Sequence, residues 1–76
     1  MRDPADVRQA ALDYKAALEK GAQVEEGIAS TLAMMADELD RQGLSQSADI
    51  LQQASHYHRS VSIKSRAIAA SLSMAG

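Results

Sequence analysis

The stretch Leu39-Asp40-Arg41-Gln42-Gly43-Leu44-Ser45 decides the fold. It interrupts two long heptad-patterned segments with a single glycine. Gly43 follows Arg41 and Gln42, where a helix ends on a left-handed residue, and Leu44 stands where the accompanying apolar contact is made. Ser45 is then placed to cap a second helix. A connection this short leaves the two helices no arrangement but antiparallel neighbours.

Upstream of the turn, Asp3 is placed to cap a helix and Pro4, the only proline, takes its first position with φ already set. Asp6 sits where a capping box places its acid. Apolar positions then recur in steps of four and three through Val7, Ala11, Tyr14, Leu18, Gly21, Glu25, Ile28, Leu32, Met35 and Leu39. That period marks one face of a helix packed on a partner at about +20°. Two members break the pattern. Gly21 costs about 1 kcal/mol against alanine inside a helix, and Glu25 is charged, with Val24 beside it able to take over the burial. The phase is unchanged across Gly21, which predicts one helix over residues 4–42. A three-helix bundle broken near Gly21 is the rival.

Downstream, a second helix is expected over residues 46–74, with a stripe through Leu44, Ala48, Leu51, Ala54, His58, Val61, Ser65, Ile68 and Leu72. At the helical rise the two arms come to about 57 Å and 43 Å, so the all-α fold is a long hairpin. A column of small residues, Ala48, Ser55, Ser62 and Ala69, runs one heptad apart on the shorter arm. The longer arm answers with Ala10, Ala17, Ala22, Ala29, Ala33 and Ala36. Small side chains let helices approach closely, although alanine is also simply the best helix former.

A chain of 76 residues allows one domain and a thin core. Apolar residues make up 46%, but 15 of them are alanine, leaving 20 large side chains with two tyrosines and no Phe or Trp. Cysteine is absent, so disulfides and thiolate metal sites are excluded. A single hairpin cannot cover 20 large apolar groups, which favours dimerisation into a bundle or docking on a larger protein. The net charge of −2 divides unevenly: residues 1–42 hold nine acids and five bases, and residues 43–76 hold Asp49 against Arg59, Lys64 and Arg66. An acidic arm beside a basic one serves register and partner choice.

No stretch approaches the ~20 apolar residues that span a bilayer, and Met1-Arg2-Asp3-Pro4 has no apolar run of a secretory signal. The expectation is a cytoplasmic protein, in an alanine-rich style of bacterial or phage chains. The C-terminal run from Ala67 to Ala75 is apolar but carries no positive charge for a membrane surface. His56 and His58 sit about 200° apart on a helix and cannot share an ion. Glu25, Glu26 and Glu38 are followed three residues on by Ile28, Ala29 and Arg41, so the Glu-x-x-His of dimeric carboxylate metal bundles is missing. Nine scattered serines on a rod offer no cleft or oxyanion hole, and there is no glycine-rich phosphate loop. Arg59 and Arg66 share a face, as a hairpin nucleic-acid regulator would need, but an acidic chain supplies no basic stripe.

What remains is a small non-catalytic interaction module: an adaptor, chaperone-like factor, accessory subunit or inhibitor acting by surface occupation. No catalytic, metal or cofactor residue is assigned. Its partners are expected to be a second copy of the chain or a larger protein, without nucleic acid or membrane. Leu12, Tyr14, Ile68, Leu72 and Met74 are the expected interface, gathered at the open end where the longer arm outreaches the shorter. Glu25, His58 and Ser65 are polar seam positions that set register. A turn centred on Gly43 and Leu44 places Glu25 near Ser62, Ser65 and Arg66, and His58 near Ile28, leaning toward Thr31 and Leu32.

Overall fold

The computed structural model describes the backbone of residues 3–75 and the side chains of residues 3–73. Two helices account for nearly all of it: α1, Pro4–Arg41, and α2, Ser45–Ala75. They pack along their length as an antiparallel hairpin measuring 61 × 16 × 14 Å. α1 runs unbroken through Gly21, so the three-helix alternative is excluded.

Both predicted punctuation marks act as the sequence requires. The Asp3 carboxylate accepts from the Ala5 amide at 3.0 Å with Pro4 behind it, closing the start of α1. At the other end Gly43 has φ +83°, a left-handed conformation in which a side chain would be strained. The Leu44 amide donates to the Leu39 carbonyl at 2.9 Å and the Gly43 amide to the Asp40 carbonyl at 3.0 Å. This doubly bonded closure satisfies the last carbonyls of α1. It also differs from expectation in one detail. Ser45 is the first residue of α2 rather than its cap, because the Leu44 carbonyl already accepts from Ala48 at 3.0 Å and starts the helix one residue earlier.

The larger difference concerns what lies between the helices. Among the described residues the buried set is Ala22, Ala29 and Ala36 on α1 against Ala48, Ser55, Ser62 and Ala69 on α2. Every member is alanine or serine, and each column repeats at seven. The long apolar stripe read from the sequence is therefore not the seam. Small side chains win that place because they allow the two helices to approach closely. Ser55 exploits this, donating its hydroxyl to the Ala29 main-chain carbonyl across the seam at 2.8 Å. With no large side chain in between, the stripe is displaced to one flank.

Candidate interaction surface

Which flank follows from helix geometry. Relative to the Ala22–Ala29–Ala36 line, residues one before and three after turn to one side, and residues four after turn to the other. The same offsets apply on α2, and two cross-helix contacts fix the sides. Glu25 and His58, each three residues beyond a seam member, bind one another. Glu26 and Arg66, each four beyond, meet on the opposite side.

The first of these sides is apolar over both helices. Leu18, Leu32 and Leu39 of α1 and Leu51, Val61 and Leu72 of α2 are half-buried beside the seam. Farther out lie Val7, Tyr14, Ile28 and Met35, with Ile68 opposite. These five remain exposed at 51, 54, 38, 49 and 45%. The side chains that normally supply a core thus form a continuous face along the rod. The other side carries Glu19, Glu26, Gln52, Arg59 and Arg66, with Leu12 toward the open end.

Near the middle of the apolar face sits its polar pair. Glu25 and His58 have side chains just over one quarter exposed, with the Nδ1 atom of His58 against a Glu25 carboxylate oxygen. With Glu25 ionised, the imidazole is the donor, so Nδ1 carries a proton. The Tyr57 ring packs edge-on to His58 at 5.4 Å between centroids, helping to fix its orientation. This corrects the expected neighbours of Glu25. Glu25 pairs with His58, while Ser62 and Arg66 bind Glu26. Side governs here more than level: Arg66 lies on the opposite flank, and Glu26 takes both it and the seam hydroxyl of Ser62.

Glu26 forms the second cross-helix lock. Arg66 grips it with two parallel bonds, Nε at 2.7 Å and the terminal nitrogen at 2.8 Å, and the buried Ser62 hydroxyl donates to the same carboxylate. The Arg66 and Ser62 hydrogen bonds, with the cation's field, hold the Glu26 carboxyl down from 4.5 to about 2. The same pairing raises the Arg66 guanidinium above its ordinary value. Glu26 escaped the sequence reading because it is off the apolar stripe. The available signal was Ser62 and Arg66 four residues apart, facing one acid.

The remaining expected residues divide. Leu12 and Leu72 line one cleft of about 580 Å³ at the open end, with Pro4, Val7, Ala11 and Lys15. It opens where α1 runs past the last small seam residue of α2. Tyr14 and Ile68 lie on the broad apolar face instead, and Leu12 is on the other side of the seam from Tyr14. The Met74 side chain lies outside the described residues. Ser65 is half-buried on the apolar face two turns beyond His58, away from Glu25. Among the described residues no three His, Asp or Glu side chains gather as a metal-binding group, and no helix is long and apolar enough to cross a membrane.

No family model matches the chain, and no significant match is found among curated proteins or solved structures.

Proposed function

We propose that this chain is a small non-catalytic interaction module of cytoplasmic residence, acting by surface occupation as an adaptor, chaperone-like factor, accessory subunit or inhibitor. One observation carries the reading. The hairpin closes on alanine and serine, and Val7, Tyr14, Ile28, Met35 and Ile68 stand exposed on one face over the half-buried leucines beside the seam. A face of this kind gains by being covered, at roughly 25 cal/mol per Å² of apolar area removed from water. The polar pair Glu25–His58 inside it gives the covering partner a position to match, as polar groups do in helical seams. The basic pair expected for nucleic acid loses half its charge to Glu26, which engages Arg66 with both oxygens.

The test is to place a photo-crosslinking residue singly at Met35, Ile68, Tyr57 or Ile63 in the full chain, inside cells. Met35 and Ile68 lie on the apolar face, whereas the exposed Tyr57 and Ile63 lie off it. Protein adducts, to any chain, should form from Met35 and Ile68 and be scarce from Tyr57 and Ile63. Equal labelling from all four, or none from the apolar face, overturns the reading.

A further inference from the structure

The apolar face also shows what fits it. We propose that its occupant is a second copy of this chain, laid face to face about a twofold axis along the rod, so that α1 of each copy covers α2 of the other. This rests on the reading of that face as a binding surface and goes on to name the partner and its orientation.

Area is the first argument. A face of 61 by 16 Å offers a footprint on the order of 1,000 Å² per copy, against the roughly 800 Å² per partner of a standard stable interface. Covering it would complete a four-helix bundle whose core is supplied by Leu18, Ile28, Leu32, Leu51, Val61 and Ile68.

Charge chooses the occupant and the axis. Glu25 and His58 are level within one chain, since they bind one another. A twofold axis along the rod preserves level and exchanges arms, which sets Glu25 of each copy over His58 of the other. The buried polar groups then meet as two acids and two imidazoles in alternation. Apart from the Tyr14 phenol, Glu25 and His58 are the titratable groups at positions that turn to this face, because Glu19, Glu26, Arg59 and Arg66 turn to the other side. All helix neighbours become antiparallel, which aligns their dipoles favourably. The other twofold stacking, with the axis across the rod, puts α1 on α1. The Glu25 carboxylates then approach each other near mid-rod, each away from the other copy's His58. Like charges in a desolvated contact are a strong penalty, so the chain's own charge pattern selects the first arrangement.

The chain has no cysteine, so disulfide trapping reports only introduced contacts. In the proposed dimer Ile28 lies across from Ala54 of the second copy, and Tyr14 from Ile68. The purified chain should weigh twice its 8.1 kDa in solution by light scattering. Mixing an Ile28→Cys chain with an Ala54→Cys chain under mild oxidation should give the mixed disulfide in large excess over either homodimer. Tyr14→Cys with Ile68→Cys is the second pair, should one variant fold poorly. A dimer trapped chiefly as Ile28→Cys homodimer overturns the arrangement. A mass of 8.1 kDa overturns self-association, and adducts from Met35 and Ile68 to another protein would then leave the binding-surface reading standing.

Discussion

The hydroxyl of Ser55 reaches across the hairpin to the main-chain carbonyl of Ala29, a residue with no exposed surface of its own. A side chain on one helix bonding the backbone of the other is possible only where both contribute small groups. It fixes the register of α1 on α2 from the middle of the seam.

Ala29 should therefore tolerate nothing larger. Ala29→Leu forces the helices apart, and overpacking of this kind costs about 1–3 kcal/mol. Ser55→Ala keeps the volume but loses the bond, at about 1 kcal/mol. Thermal melts followed by circular dichroism should rank the wild type above Ser55→Ala and Ser55→Ala above Ala29→Leu. An Ala29→Leu chain as stable as the wild type would show that the helices do not close on this line.

The pH dependence follows from Glu26. Its folded-state carboxyl sits at about 2 against 4.5 unperturbed. A depressed acid contributes stability that is present above the unfolded value and lost as pH falls through the folded one. The contribution should be intact near neutral pH and fade between about pH 4.5 and 2. Melting temperatures of Glu26→Gln and wild type should differ at pH 7 and converge toward pH 2. A gap that widens on acidification would contradict the Arg66–Ser62 lock.

The Glu25–His58 pair is expected to serve specificity more than stability. Glu25→Leu alone strands His58 without its acceptor and should lower the melting temperature. Replacing both with leucine removes two desolvated polar groups and should restore or exceed wild-type stability. The double variant should also associate less selectively, seen as mass above the wild-type value in light scattering. Additive losses in the two single variants and the double would show that the two side chains are not coupled.

Gly27 lies within α1, and a Cβ added there meets nothing within 4 Å. Gly27→Ala should stabilise the chain by about 0.5–1 kcal/mol through helix propensity. For a domain of this size that is a rise of roughly 4–8 °C per kcal/mol. An unchanged or lower melting temperature would indicate that something occupies this position in solution.

The turn, the start of α1 and its continuity were legible because each rests on local chemistry: Gly43, Asp3 with Pro4, and the unbroken phase across Gly21. The small column on α2 was legible as a period. What periodicity could not decide was which of two adjacent columns meets the partner helix. Leu18, Leu32 and Leu39 outrank Ala22, Ala29 and Ala36 by hydrophobicity, yet close approach favours the alanines, and both sets fall on a seven-residue repeat. Choosing the stripe displaced the expected neighbours of Glu25. It also concealed Glu26, which faces α2 only when the alanines form the seam.

If the outward apolar face, rather than the rest of the surface, makes the contacts, charge placed on that face alone should abolish association. The direct measurement compares two double variants of the full chain, Ile28→Glu with Ile68→Glu on the face and Ile50→Glu with Ile63→Glu off it. Ile50 and Ile63 are the more exposed pair, at 66 and 63%. Molar mass in solution is read beside helical content. The prediction is that the on-face variant loses association while remaining helical and the off-face variant associates as the wild type does. Association that survives Glu at Ile28 and Ile68 and fails with Glu at Ile50 and Ile63 would contradict it.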